Sequence, residues 1–403
     1  MTAAPVRAVM AALSANQDAA RFVGGAVRNA LLREAVSDVD IAARFPPDEV
    51  IRRLEAAGLR AVATGIEHGT VTAIADGAPY EVTSLRRDVE TFGRRAVVAY
   101  TTDWAEDAAR RDFTINALYA GEDGTLFDYF GGLNDIPERR VRFIGDARQR
   151  IKEDYLRILR FFRFHAQYGR GQPDGDGLAA CIAEKPGLKL LSGERVQKEL
   201  LLLLKAKDPV PVLSVMQENS ILGEIFSCDL NLPRLERLTG IEQSGGTGRD
   251  AVLRLAALLP DSAAVARDVA QALRLSNEAR DRLVAAAEKD DRIAAPVARA
   301  RLRELIYRAG RERTRDQLVL RWADAGGPAG ESQWDSMMSL ARDWQPPVFP
   351  VDGNDVMALG VPEGPEIGVH LRTLEQWWIG NDFAPTRPEL LERLRSVVLK
   401  KGQ

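Results

Sequence analysis

The pattern of the chain changes once, near residue 140, and that change limits the folds open to it. Before it, short β-rich runs alternate with helical stretches. From Val141 onward, Ala, Leu, Arg and Glu recur at helical spacing and no convincing strand is found. RFVGG (Arg21–Gly25) reads as a strand ending in a glycine turn, and the next eight residues or so as a helix. Asp38–Arg44 alternates with period two, as a strand does. A helix follows with Pro near its start and Gly58 just past its end. His68–Ala75 and Tyr80–Leu85 read as strands, and Arg86–Ala96 as a charged loop carrying Arg86, Arg87, Arg94 and Arg95. Asp103–Ala120 reads as helix and Gly124–Gly132 as strand and turn. The expectation is an α+β chain: a mixed sheet with helices over 1–140, then helices alone. Loops at 168–177, 243–248, 325–330 and 345–354 are unevenly spaced, so the helical part is not a repeat solenoid.

Composition narrows the function classes. At about 100–200 residues per domain, 403 residues suggest two to four domains. With 45% hydrophobic and 28% charged residues the chain is ordinary globular material. Its net charge is −3, so any nucleic-acid site must be a local patch. Two cysteines, Cys181 and Cys228, fit inert thiols in a reducing cytoplasm. His68, His165 and His370 form neither an HExxH motif nor a His-Asp pair, which argues against a His-rich metal hydrolase. No basic-then-apolar leader opens the chain, and no long apolar run exists to span a membrane.

Asp38 and Asp40 stand two apart on a predicted strand and so share a face. Carboxylates about 7 Å apart repel unless a cation lies between them. Mg²⁺ takes one or two carboxylates plus phosphate oxygens, which suits such a pair. Glu81, on another predicted strand, is placed to complete the cluster. Asp-x-Asp alone is a common tripeptide and more often a solvent-facing turn. The preceding Gly24-Gly25 raises its weight: glycines between strand and helix let backbone N–H groups approach a phosphate. Arg28, one turn into that helix, can pair with the same phosphate.

A second concentration of charge lies at Arg139–Arg163, with nine basic residues against three acidic ones. Polyanion binding is one account of it, and a solvated helix face the other. On a continuous helix Tyr155, Ile158, Leu159 and Phe162 form a core stripe. Asp154 and Arg157 then become neighbours on the opposite, exposed side. A carboxylate accepts from an exocyclic amine and a guanidinium donates to ring acceptors. Such a pair fits cytosine and adenine and rejects guanine and uracil. From this pair alone, a salt bridge of roughly 0.2–0.5 kcal/mol is the better account.

Six signatures in order resemble one family: GGAVRNALL with SDVDIA, HGTVTA, YEVTSLRRDVETFGR, TTDWAEDAARRDFTINALY, FDYFGG and EDYLRILRFFRF. They are similar to the class II tRNA nucleotidyltransferases, the CCA-adding enzymes, whose close relatives are the bacterial poly(A) polymerases. The likeness runs from about Arg21 to Phe164, continues loosely through Ser192–Leu200, and returns at Asp352–Gly368. It implies a β-polymerase-like nucleotidyltransferase head (1–140), a helical neck (141–205), and a helical body and tail (206–403) that bind tRNA. It implies addition of C, C and A to the tRNA 3′ end from CTP and ATP with Mg²⁺ at a two-metal site. By that likeness Asp38 and Asp40 are the metal carboxylates and, with Glu81, the catalytic set. Gly24, Gly25 and Arg28 meet the nucleotide, and Arg111 the triphosphate, with Asp112 and Asn116 beside it. Asp154 and Arg157 are the base-reading pair, and Arg160 and Arg163 further nucleotide contacts. Asn29 departs from the family, which usually has Asp there. Glu194, Arg195 and Glu199 match a further element, for which a structural role in fixing the neck to the head is the reading preferred.

Three alternatives are weighed. A poly(A) polymerase typically carries a GRRF-type segment after the Asp-x-Asp strand, and here the interval reads LRAVATGIEHGTVTAIA. A CC-only enzyme lacks a flexible loop after the Glu81 strand; this chain carries such a loop, which favours full CCA addition. A silent tRNA-binding paralogue would have lost its carboxylates, and Asp38, Asp40 and Glu81 are all present.

Overall fold

The computed structural model describes residues 3–14, 18–92, 95–288, 293, 297–327 and 333–401, with backbone alone for His68, 88–92, 95–98 and 399–401. The chain forms two compact units, Met1–Ser227 and Cys228–Gln403.

The first unit opens with α1 (Ala4–Ser14), β1 (Ala20–Val23), α2 (Gly25–Leu32), β2 (Asp40–Ala43) and α3 (Pro47–Ala56). Then come β3 (Arg60–Gly65), β4 (Thr70–Ala75), β5 (Ala78–Ser84), β6 (Arg86–Phe92), β7 (Arg95–Tyr100) and α4 (Trp104–Ala109). β8 (Leu118–Ala120), β9 (Leu126–Asp128) and α5 (Gly132–Glu138) complete the mixed region. Seven strands make one sheet in the order β3-β4-β5-β2-β1-β8-β9. β2 and β5 run parallel, and the other neighbours antiparallel. Helix α1 buries Val6, Val9, Met10 and Leu13, a stripe at helical spacing. It packs with α3 against β4, whose Val71, Ala73 and Ala75 alternate into the core.

Several sequence expectations change here. β3 is a strand that the sequence pattern does not announce, and His68 sits in a 3-10 turn before β4 rather than on it. The expected loop at 86–96 is the ribbon β6–β7, pairing Arg86 with Tyr100 and Phe92 with Arg95; Arg94 lies outside the described residues. The expected helix 103–120 stops at Ala109. The Thr114 amide donates to the Arg142 carbonyl and that of Ile144 to the Asp112 carbonyl, so residues 112–114 pair with a distant segment instead of coiling. Tertiary pairing overrides local propensity there. The FDYFGG segment is a cap: Asp128 accepts from the amides of Phe130, Gly131, Gly132 and Leu133 at the start of α5. Gly132 is required for space, since a Cβ there would lie 2.3 Å from the Thr114 carbonyl oxygen.

The rest of the first unit is helical: α6 (Ala147–Glu153), α7 (Leu156–Tyr168), α8 (Gly175–Glu184), α9 (Gly193–Leu204) and α10 (Val210–Glu218). The charged segment is therefore not one helix. Asp154 is extended (φ −156°, ψ 106°) and its Oδ1 accepts from the Leu156 amide at 3.1 Å, ending α6 and starting α7. An Asp before a helical run is itself a start signal.

The regular elements of the second unit's described residues are all helices. Its centre holds a buried ion pair, Arg254 on Ala251–Leu258 with Glu242 on Leu232–Gln243. Near the chain end, Asp352 and Asp355 form a reciprocal cap on the helix Gly353–Met357. Val356, Leu374, Trp378, Leu390 and Leu394 form the core behind it. Among the described residues no helix is long and apolar enough to cross a membrane.

Candidate functional site

The order of the strands assembles the site. β1 ends at Val23 where β2 begins at Asp40, because the two are antiparallel with Phe22 opposite Ile41. β5 runs beside β2 with Glu81 in register with Asp40. The Gly24 amide donates to the Leu118 carbonyl at 3.1 Å, which brings the turn before β8 to the same sheet end. Gly24, Asp40, Glu81 and Asn116 thus converge from four distant stretches of sequence.

Asp40 is half-buried and Glu81 exposed. Asp38 lies in the extended residues before β2 rather than on it. It is exposed and accepts from the Ser37 hydroxyl at 2.9 Å. Among the described residues, neither Asp40 nor Glu81 has a hydrogen-bonded or ion-paired side-chain partner. Burial, with the charges of Glu81 and Asp38, pushes the Asp40 carboxyl above its ordinary range, against an opposing pull from Arg111. A cation would relieve that repulsion. No three His, Cys, Asp or Glu among the described residues converge as a complete metal cage. A divalent ion here would therefore need substrate oxygens to complete its shell, which is how Mg²⁺ is commonly held.

Guanidinium groups surround the glycine turn at the same sheet end, and Arg111 acts on the Asp40 carboxylate. Gly24 has φ 66°, a conformation that favours glycine. A Cβ at Gly24 would lie 3.4 Å from Arg111 Nη1, and one at Gly25 3.6 Å from Arg28 Nη2. Arg111 pairs with buried Asp107 at 3.1 Å, and the Tyr119 hydroxyl donates to the same carboxylate at 2.7 Å. Burial would push Asp107 up, but Arg111 and Arg110 outweigh it and hold the carboxyl below its usual range. Arg28 is buried and donates to Asn116, to Asn29 and to the Tyr168 hydroxyl. Asn116 in turn donates to Asp112 at 3.0 Å, and Asp112 accepts from Arg160 Nε at 2.9 Å. Arg160 and Arg163 share the buried carboxylate of Glu199 on α9. One continuous network therefore ties the sheet to α7 and α9, with Arg28, Asn116, Asp112, Arg160 and Arg163 all in it.

The side chains of Asp154 and Arg157 do not pair with each other, although the Arg157 amide donates to the Asp154 carbonyl at 3.0 Å. Asp154 Oδ2 accepts from Arg195 Nη2 at 2.7 Å. Arg157 Nη1 donates to Glu153 at 2.6 Å and to the Arg150 carbonyl at 2.6 Å. The extended backbone at Asp154 leaves its side chain with Arg195 and that of Arg157 with Glu153. Both remain partly open, with side-chain exposures of 21% and 13%. Among the described residues, Nε and Nη2 of Arg157 have no partner. Glu199 and Arg195 tie α9 to α7 and to the α6–α7 junction, contacts that all lie within residues 141–205; the expected tie to the first 140 residues is indirect, through Arg160 to Asp112.

Sequence reasoning missed Arg150, whose Nη2 donates to the carbonyls of Arg110 and Arg111 at 2.6 and 2.8 Å. It also missed Tyr168. The signal for Tyr168 was its spacing: 160, 164 and 168 share one helix face.

Residues 20–142 match the family model described as Poly A polymerase head domain. The CCA tRNA nucleotidyltransferase 1, mitochondrial, of Danio rerio is 33% identical over 405 residues, covering 94% of this chain and 88% of that protein. The CCA-adding enzyme of Levilactobacillus brevis is 32% identical over 382 residues, covering 92% of each. Among solved structures, the Bacillus stearothermophilus CCA-adding enzyme in complex with CTP superposes with a TM-score of 0.78 at 26% identity, covering 99% of this chain and 98% of that one.

Proposed function

This chain belongs to the CCA-adding tRNA nucleotidyltransferases, and from that membership we propose how its side chains divide the work. The enzyme adds C, C and A to the 3′ end of tRNA from CTP and ATP without a nucleic-acid template, and releases pyrophosphate. In each cycle the tRNA 3′-oxygen bonds to the α-phosphorus while the bond from that phosphorus to pyrophosphate breaks. One observation carries the assignment of roles: carboxylates without cationic partners share a sheet end with guanidinium groups around a glycine turn.

Asp38 and Asp40 are the residues that would hold Mg²⁺, with Glu81 adding negative charge beside them. When bound, the ion supplies Lewis-acid charge that sharpens the 3′-hydroxyl and steadies the departing phosphates. The Gly25 amide, with Arg28 and Arg111, takes the triphosphate, and Gly24 shapes the turn that admits it while its own amide stays on the Leu118 carbonyl. Asp112 and Asn116 hold Arg160 and Arg28 in place, and Arg160 and Arg163 line the nucleotide side of α7. Little covalent work falls to any side chain, because positioning and charge stabilisation dominate phosphoryl transfer.

Base choice is assigned to Asp154 and Arg157 acting as separate groups. Asp154, steadied by Arg195, accepts from the amine of C or A. Arg157, anchored through Nη1, donates from its remaining N–H groups to ring acceptors. Residues 1–140 serve as head, 141–205 as neck, and 206–403 as body and tail contacting tRNA. A reducing, cytoplasmic setting suits the free thiols: Cys181 is buried, and burial pushes its pKa up.

The test is incubation with labelled CTP and ATP and tRNA lacking its 3′ end. Three additions in the order C, C, A support the reading. A long A tract would indicate poly(A) synthesis, and arrest after two C residues would indicate CC addition.

A further inference from the structure

Five arginines of the described residues are buried: Arg21, Arg28, Arg234, Arg254 and Arg321. Four of them contact a carboxylate. Arg21 pairs with Asp18, Arg254 with Glu242, and Arg234 and Arg321 both with Asp261. Arg28, 6% exposed, contacts none among the described residues. Its acceptors are all neutral: Asn29 Oδ1 takes Nε at 3.1 Å and Nη2 at 2.8 Å, the Tyr168 hydroxyl takes Nη2 at 2.8 Å, and Asn116 Oδ1 takes Nη1. The Tyr168 ring also lies under the guanidinium, 4.0 Å from its carbon. Asp112 is one step removed, behind Asn116. Burying a cation without a counter-charge is costly, so the arrangement is unusual unless an anion arrives. A guanidinium has five N–H groups. Four are used, and the one left over is on Nη1.

We infer that Tyr168 and Asn29 are positioning residues. They hold Arg28 through neutral acceptors only, so that the polyphosphate of the nucleotide is its first anionic partner. This rests on the proposed contact between Arg28 and phosphate. It places a residue of α7, the helix that also carries Arg157, Arg160 and Arg163, in direct control of the triphosphate subsite. Burial pulls Arg28 below its ordinary pKa, with Tyr168 and Asp112 opposing, as expected for a cation lacking a contacting carboxylate.

The experiment uses the full-length enzyme with saturating tRNA. Tyr168→Phe keeps the ring and removes the acceptor. KM for CTP and for ATP should each rise roughly tenfold, the size of one hydrogen bond to a charged group. The kcat values, the KM for tRNA and the preference for C and A over G and U should stay unchanged. Inhibition by inorganic tripolyphosphate, which carries no base, should weaken by the same factor. Asn29→Asp supplies a charged holder that fixes the guanidinium unaided, so adding Tyr168→Phe to it should raise KM by less than about twofold. Arg28→Ala separates the two layers of the argument. If it leaves KM and tripolyphosphate inhibition unchanged, the phosphate contact itself is wrong. If it weakens both while Tyr168→Phe changes neither, the positioning role is overturned. An equal penalty for Tyr168→Phe in the parent enzyme and in the Asn29→Asp background also overturns it.

Discussion

The sheet end of the first unit and the buried arginines of the second unit treat charge in opposite ways. In the second unit Arg254 meets Glu242, each with a side chain 1% exposed, and Arg234 and Arg321 close on Asp261. Each of these cations has its anion within the protein. In the first unit, among the described residues, Asp40 and Glu81 lack a paired cation and Arg28 contacts no carboxylate. A structural core satisfies its own charges, whereas a site for a metal and a polyphosphate leaves both signs for its ligands to satisfy. Among the described residues no ion pair joins Arg28 to Asp38, Asp40 or Glu81, so both are left for the ligands to satisfy.

This contrast can be broken most forcefully at the carboxylates. Asp38→Ala and Asp40→Ala should each slow nucleotide addition on the order of 10³-fold, as loss of a main electrostatic stabiliser does. Their urea denaturation midpoints should not fall. Near-normal rates for Asp40→Ala in Mg²⁺ would remove the proposed metal role. Glu242→Ala is the counterpart in the second unit. It leaves Arg254 buried and without its carboxylate, and stability should fall by about 3–5 kcal/mol. Equilibrium denaturation measures this, and a loss below about 1 kcal/mol would show that the pair is not a structural anchor.

A smaller effect sharpens the comparison within the first unit. Arg157 has a protein partner in Glu153 and also unused donors, so it stands between the two behaviours. Arg157→Ala should cost about 1.5–3 kcal/mol in kcat/KM for CTP and ATP, on the order of 10- to 150-fold. The same change should cost GTP and UTP less, narrowing the preference for C and A. An equal loss for all four nucleotides would make Arg157 a structural salt bridge only.

The parts of the site that follow from chain connectivity are legible in the sequence. Gly24-Gly25 between strand and helix, Asp40 at a strand start and Glu81 on a strand depend on local pattern, and the structure keeps them together. Choices of partner are not legible. Helical spacing offers Arg157 both Asp154 at i,i+3 and Glu153 at i,i+4, and which one it meets is decided by the extended backbone at Asp154, which sends that carboxylate to Arg195. Whether Arg28 is held by a carboxylate depends on Tyr168, 140 positions away. Residues 103–120 read as helical because the Ala, Arg and Glu among them favour it. Pairing of Phe113 with Phe143 decides otherwise. The ribbon β6–β7 reads as a loop because its arginines mask the alternation of its strands.

The pH dependences of the two regions should have opposite signs. Burial would push Asp261 up, but Arg321 and Arg234 outweigh it and hold the carboxyl below its ordinary range. Its contribution to stability is present above the unfolded pKa, about 3.9, and is lost as pH falls through the lower folded value. Asp40 is raised, so its contribution is present at low pH and is lost as pH rises through the folded value. The most direct test of the contrast is the melting temperature of Asp40→Asn and Glu242→Ala, side by side, at about pH 7 without divalent cation or nucleotide. The account predicts that Asp40→Asn melts higher than the parent, that this gain vanishes below about pH 4 where both side chains are neutral, and that Glu242→Ala melts lower. If both variants melt lower at neutral pH, the sheet-end carboxylates are held by the protein rather than kept for a ligand, and the central claim fails.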